Sequence, residues 1–367
     1  MKRLLILVDD QLIANFYREK FQALGIAVDF ARTADAAVQL ATNRSPDLAL
    51  IDPVLPPGTG IDLVTQLREA MQGKPVVVFT HAPDPVARLV KQAGVTRIVP
   101  RSENHGEAVV SEVQALLGLG GSLANFSDED REAWVSAMLE GAPEAINEAR
   151  VSMHAFIKEP QNCDLLFDLF RQVHHLSERT SLVGLNAVYK MTVAIETFLY
   201  DLYAMPEQVN PSVIRTMSQS IDFLATLLDE KTARLVKDPS TSDVLVVEDE
   251  SETRKLIASA MEMVNLKITC AAESEMAMSI LEDNPFDLVF LDINLPQTSG
   301  FDICTQVRQL EDHKTTPIVF LTGLTTFQNR AKSALSGGND FIAKPFNVLE
   351  LGVKALTWVF RNRLQLV

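Results

Sequence analysis

Four short apolar runs in the C-terminal third of the chain each end in a polar side chain, and together those side chains could handle a transferred phosphoryl group. Residues 244–247 run into Glu248 and Asp249, 288–291 into Asp292, 319–321 into Thr322, and 341–343 into Lys344. As strands of a parallel sheet, these runs would put all the polar groups at the carboxyl edge, where open α/β folds bind ligands. Three clustered carboxylates repel one another unless a cation sits among them, and hard oxygen ligands with open positions suit Mg²⁺. A hydroxyl and an ammonium beside a metal-held Asp are what the oxygens of a phosphoryl group require.

The elements that must position these groups occur twice. Residues 47–68 align without a gap to 287–308, with Asp52 opposite Asp292, Leu55-Pro56 opposite Leu295-Pro296 and Gly60 opposite Gly300. Around each segment short β-rich runs alternate with amphipathic helices, the pattern of a parallel sheet built from βαβ units. In the first copy the strand runs are 4–8, 27–30, 48–51, 76–79 and 97–99. Five strands in a domain of this size fit the flavodoxin-like order 2-1-3-4-5. The Gly-rich stretch 118–122 and the Pro-containing stretch 237–243 read as linkers. The segment between them carries helical stripes without strand signals: one helix opening at Ser127-Asp128, a second with Pro143 as an early position, and others through 166–180, 188–202 and 214–228. The expected architecture is therefore two flavodoxin-like α/β domains with five-stranded parallel sheets, at 1–119 and 242–367. An all-α bundle of four or five helices at 125–235 separates them.

The C-terminal residue set resembles the phosphoacceptor receiver domain of bacterial two-component response regulators, over about residues 242–367. The resemblance implies that Asp292 is the nucleophile. Mg²⁺ would sit on Asp249 and Asp292, on Glu248 through water and on the main-chain carbonyl of Asn294. Thr322 and Lys344 would take the phosphoryl oxygens, Phe341 would be the aromatic switch, and the Lys344–Pro345 bond is often cis in this family. The first copy keeps Asp9, Asp10, Asp52 and Thr80, so a Mg²⁺ site is implied there too. However, its Lys is Arg101 followed by Ser102, His81 follows the Thr, Pro53 follows the Asp, and Ile98 replaces the aromatic. Arg delivers its charge with a different reach and shape from a compact ammonium, and the four changes together imply a slow, altered or dead receiver.

In the helical segment, Phe170-Arg171-Gln172-Val173-His174-His175-Leu176 resembles the histidine phosphotransfer domain, with His174 as phosphoacceptor and Glu196 holding its Nδ1–H. Where that family has Lys and Gly after the His, this chain has Ser177 and Glu178, which bring bulk and negative charge to the docking face. An ordinary surface pairing of His174 with Glu178 at i, i+4 accounts for the same residues without phosphate.

Bulk properties narrow the function classes. The net charge of −15 over 367 residues excludes an ordinary nucleic-acid binder, and no run approaches the length of a membrane span. Three scattered cysteines fit reduced thiols in a cytoplasm. The leading expectation is a cytoplasmic response regulator that accepts phosphate on Asp292 from a sensor histidine kinase or phosphotransfer protein. A second is a relay intermediate shuttling phosphate between Asp292 and His174. A third is a scaffold or sequestering protein, in which the first receiver and the bundle serve only docking or homodimerisation.

Overall fold

The computed structural model describes residues 1–52, 59–80, 91, 93–100, 102, 105–119, 127–323 and 336–366. It contains two five-stranded parallel sheets with a helical region between them in the sequence. In the first sheet β1 (Arg3–Leu7), β2 (Ala27–Ala31), β3 (Leu48–Ile51), β4 (Val76–Thr80) and β5 (Arg97–Pro100) lie in the order 2-1-3-4-5. The second repeats that order with β6 (Asp243–Val247), β7 (Lys267–Ala271), β8 (Leu288–Asp292), β9 (Ile318–Thr322) and β10 (Asp340–Ala343). The central strands are buried along their whole length because helices cover both faces, which is why they read as unbroken apolar runs.

Register brings the polar strand ends together. Val247 pairs with Leu291, Asp292 with Leu321 and Thr322 with Ala343. Glu248, Asp292, Thr322 and Lys344 therefore share one edge. In the first sheet Leu7 pairs with Ile51, so Asp9, Asp10 and Asp52 follow strand ends at the equivalent edge.

By compactness the chain divides into two units, Met1–Ser152 with Asp164–Thr197 and Met153–Cys163 with Phe198–Val367. Each unit combines one sheet with part of the helical region. The long helices are Asp128–Lys158, Cys163–Val183, Asn186–Ala204 and Pro211–Leu227, followed by a short one at Glu230–Leu235. One expectation is corrected here. Pro143 does not open a second helix; it lies inside a single helix of 31 residues. Its missing N–H costs one intrahelical bond. Burial of Met138, Leu139 and Ala142 before it, and of Ile146, Ala149 and Met153 after it, keeps the helix running through.

Gly300 shows how tightly the second sheet's edge is built. It opens the helix Gly300–Val307, capped by Ser299, and its N–H donates to the Ile293 carbonyl at 3.0 Å. A Cβ at this position would collide with the main-chain carbonyl of Asp292. Gly300→Ala should cost about 1–3 kcal/mol through overpacking, seen as a lower denaturant midpoint for the second unit. An unchanged midpoint would mean that the helix can retreat freely.

Candidate functional site

In the second unit, Lys344 bridges two carboxylates. Its Nζ donates to Asp292 Oδ2 and to Glu248 Oε2, both at 2.7 Å. Asp292 Oδ1 accepts from the Asn294 N–H at 3.0 Å. Glu248, Asp292 and Thr322 are buried, whereas Asp249 is exposed. The Lys344 N–H donates to the Thr322 carbonyl at 2.7 Å, which ties the ammonium-bearing residue to the hydroxyl-bearing strand end. The Lys344–Pro345 bond is cis. Among the described residues, a Cβ added to Gly323 would meet nothing within 4 Å.

The electrostatics follow from this packing. Burial raises the pKa of Glu248, and the charge of Asp292 beside it adds to the effect, although Lys344 opposes both. Burial would lower the pKa of Lys344, but its hydrogen bonds to Asp292 and Glu248 win and raise it, which favours the charged ammonium. Carboxylate oxygens of Glu248, Asp249 and Asp292 lie within 4.8 Å of one another. That all-oxygen donor set fits a hard divalent cation such as Mg²⁺.

Phe341 is buried, and the guanidinium of Arg215 lies over its ring at 3.9 Å. Arg215 comes from the helix Pro211–Leu227, which packs along the closing helix Val348–Arg363. Ser212 and Thr216 donate to Glu350 Oε1 at 2.7 and 2.8 Å. Asp340, next to Phe341, receives Lys354 Nζ at 2.8 Å, the indole N–H of Trp358 at 3.3 Å and Arg215 at 3.3 Å. Sequence reasoning missed this network. Its signal was the closing helix itself, apolar on more than one face through Leu351, Val353, Ala355, Leu356, Val359 and Phe360, as a helix covered on several sides must be.

Asp340 also sets a pH dependence. Burial would raise its pKa, but Lys354 and Arg215 overcome burial and hold the carboxyl below its ordinary value. A depressed folded-state pKa gives stability that is present above the unfolded value of about 3.9. That stability disappears as the pH falls through the folded value. Thermal melts at stepped pH should therefore show a shallower acid loss for Asp340→Asn than for wild type; parallel acid limbs would contradict the pairing.

The first unit brings together a different set. The helix Cys163–Val183 places three side chains against the carboxyl edge of the first sheet. His174 Nε2 lies 2.8 Å from Asp52 Oδ2, and its Nδ1 lies 2.7 Å from Glu196 Oε1. His175 Nε2 lies 2.9 Å from Asp9 Oδ1. Arg179 donates twice to Asp10 Oδ2, at 2.9 and 2.6 Å, while Asp10 Oδ1 caps the first helix through the Ile13 N–H. Burial would raise the pKa of Asp9, but the hydrogen bond from His175 prevails and lowers it. In this arrangement Asp9, Asp10 and Asp52 each face a nitrogen group of the helix, so Asp10 already has a cation where a receiver would hold Mg²⁺. His174 and Glu178 are both buried, with Nε2 and Oε2 3.7 Å apart. The expected surface pairing of these two is thus an interior one. Sequence reasoning did not find the parts played by His175 and Arg179; the four-residue spacing that aligns them on one helix face was the available signal. Ile98 packs against the apolar core of the first sheet. Arg101, His81, Pro53 and the Thr80 side chain lie outside the described residues.

Comparison with known proteins follows the two sheets. The response regulator receiver domain matches residues 4–110 and 244–355. The transcriptional regulatory protein SrrA of Staphylococcus aureus (strain NCTC 8325 / PS 47) is 34% identical over 118 residues, 32% of this chain and 48% of SrrA. The chain thus spans about half the length of that curated relative. The chemotaxis response regulator CheY4 of Vibrio cholerae is 28% identical, covering 32% of this chain and 98% of its own, with a TM-score of 0.31. The receiver domain of the sensor histidine kinase PA1611 of Pseudomonas aeruginosa PAO1, a structure with magnesium coordinated in its active site cleft, is 26% identical. It covers 32% of this chain and 97% of its own at a TM-score of 0.31. Among the described residues no helix is long and apolar enough to cross a membrane. With one match on each sheet and most of the chain covered, the protein belongs to the response regulator receiver domain family.

Proposed function

We propose that this chain accepts a phosphoryl group on Asp292 from the phosphohistidine of a sensor kinase or phosphotransfer protein, and passes the signal on by protein contact in the cytoplasm. The observation that carries this reading is Lys344, held at 2.7 Å from both Asp292 and Glu248 with Thr322 on the neighbouring strand. Asp249 and Asp292, with Glu248 and the Asn294 carbonyl, would hold Mg²⁺. When bound, the ion supplies positive charge to the phosphoryl oxygens. An Asp292 carboxylate oxygen attacks phosphorus in line. The O–P bond forms as the N–P bond of the donor breaks, and the departing imidazole keeps that electron pair. Lys344 follows the charge onto a phosphoryl oxygen, and the Thr322 hydroxyl donates to another. A shift of Thr322 toward the phosphoryl would draw on Phe341, whose ring carries Arg215, so the helix Pro211–Leu227 is the first element to register the change. The test is Mg²⁺-dependent labelling of the full chain by a phosphorylated kinase. A hydroxylamine-sensitive label is expected, and none formed under conditions that label a control receiver would overturn the reading.

A second reading, a relay through His174, is favoured by the 2.8 Å contact of its Nε2 with Asp52 and by Glu196 on its Nδ1. A hydrogen-bond distance leaves no room for phosphorus, so the pair must part before either group carries phosphate. His174→Gln should stop onward transfer and spare Asp292 labelling; unchanged onward transfer would remove the relay.

A further inference from the structure

We propose that Asp52, His174 and Glu178 form a binding site for one divalent transition-metal ion, of the Zn²⁺ class, with Glu196 orienting the histidine. The three side chains converge. One ligand atom from each lies within 4.8 Å of the others, and the side chains of His174 and Glu178 are 1% and 2% exposed. With Nδ1 held by Glu196, Nε2 points at the Asp52 and Glu178 carboxylates, and a metal ion would take the place of the proton that Nε2 and Asp52 share at 2.8 Å. The chain of Glu196 carboxylate, imidazole and metal position is the arrangement by which proteins fix a ligating histidine.

The distances agree with such a shell. Zinc bonds of 2.0–2.2 Å in tetrahedral geometry put neighbouring ligand atoms about 3.4 Å apart. The observed separations from Nε2, 2.8 Å to Asp52 and 3.7 Å to Glu178, bracket that value. To admit the ion, Nε2 and the Asp52 oxygen would part by about 0.6 Å and Nε2 and the Glu178 oxygen would close by about 0.3 Å. One nitrogen among the donors distinguishes it from the all-oxygen cluster at Asp292 and selects a softer ion than Mg²⁺. The proposal also accounts for Glu178. A carboxylate one turn from His174 would repel a phosphoryl group, but it is a ligand for a cation. Because metal and phosphoryl would compete for the same Asp52 oxygen, a filled site would keep the first receiver unphosphorylated. The inference does not depend on whether Asp292 or His174 ever carries phosphate.

The test uses the full chain stripped with a chelator. Zn²⁺ titrated in competition with a chromophoric chelator should show one tight equivalent, and Co²⁺ at the same stoichiometry should give visible d–d absorption. Glu178→Gln and His174→Gln should each weaken the tight equivalent by at least about 100-fold, and Glu196→Gln by about 10–100-fold. In wild-type protein, where folding of a variant is not at issue, ¹⁵N NMR should show the His174 Nε2 resonance moving on Zn²⁺ addition. No tight equivalent, a Zn²⁺ affinity unaltered in both His174→Gln and Glu178→Gln, or an unmoved Nε2 resonance would each overturn the site.

Discussion

Replacing Asp292 by Asn is expected to abolish acyl-phosphate formation on the second unit, by a factor on the order of 10⁴ or more, as loss of an essential nucleophile does. An amide has nearly the shape of the carboxylate but offers phosphorus no anionic oxygen. The fold should survive, because Lys344 keeps Glu248 as a partner at 2.7 Å. Labelling by a phosphorylated kinase, read beside a thermal melt, separates the two effects: the melt should move little while the label disappears. Asp52→Asn should reduce total label far less, because its carboxylate faces His174 and the acids beside it face His175 and Arg179. The reverse ranking would mean that the first receiver, not the second, is the phosphoacceptor.

The second large effect concerns stability. His174→Ala should destabilise the first unit by about 3–5 kcal/mol, the usual cost of removing one partner from a buried ionic network. The imidazole lies among Asp52, Glu178 and Glu196, and its loss leaves three carboxylates facing one another in a largely buried space. Trp134, edge-on to Phe16 at 5.3 Å, reports on that unit. With Trp358 replaced by Phe it is the only tryptophan left of the two in the chain. Urea unfolding followed by Trp134 fluorescence should show a clearly lower midpoint for His174→Ala and a smaller decrease for His174→Gln. An unchanged midpoint would make the cluster incidental to folding.

Much of this architecture was legible because parallel strands buried on both faces leave a plain mark. The expected runs at 4–8, 27–30, 48–51, 76–79 and 97–99 match β1 to β5 to within a residue at every end. The carboxyl-edge position of Glu248, Asp292, Thr322 and Lys344 followed once the strands were known. Pro143 misled, because a lone proline marks a helix start locally while the apolar stripe on either side of it is a longer-range signal. The approach of His174 to Asp52 was not legible at all. The two residues are 122 positions apart, on elements that share no repeat, and only tertiary packing makes them neighbours. Arg215 over Phe341 was hidden for the same reason, although the many-sided apolar character of residues 351–360 announced that something covers the closing helix.

The central claim is that phosphate enters at Asp292. Labelling the full chain with a phosphorylated donor in Mg²⁺, trapping the acyl phosphate with borohydride and sequencing the modified peptide by mass spectrometry tests it directly. The account predicts reduction at Asp292 in the peptide bearing Leu288–Asp292; modification confined to Asp52, or none at either aspartate, would contradict it.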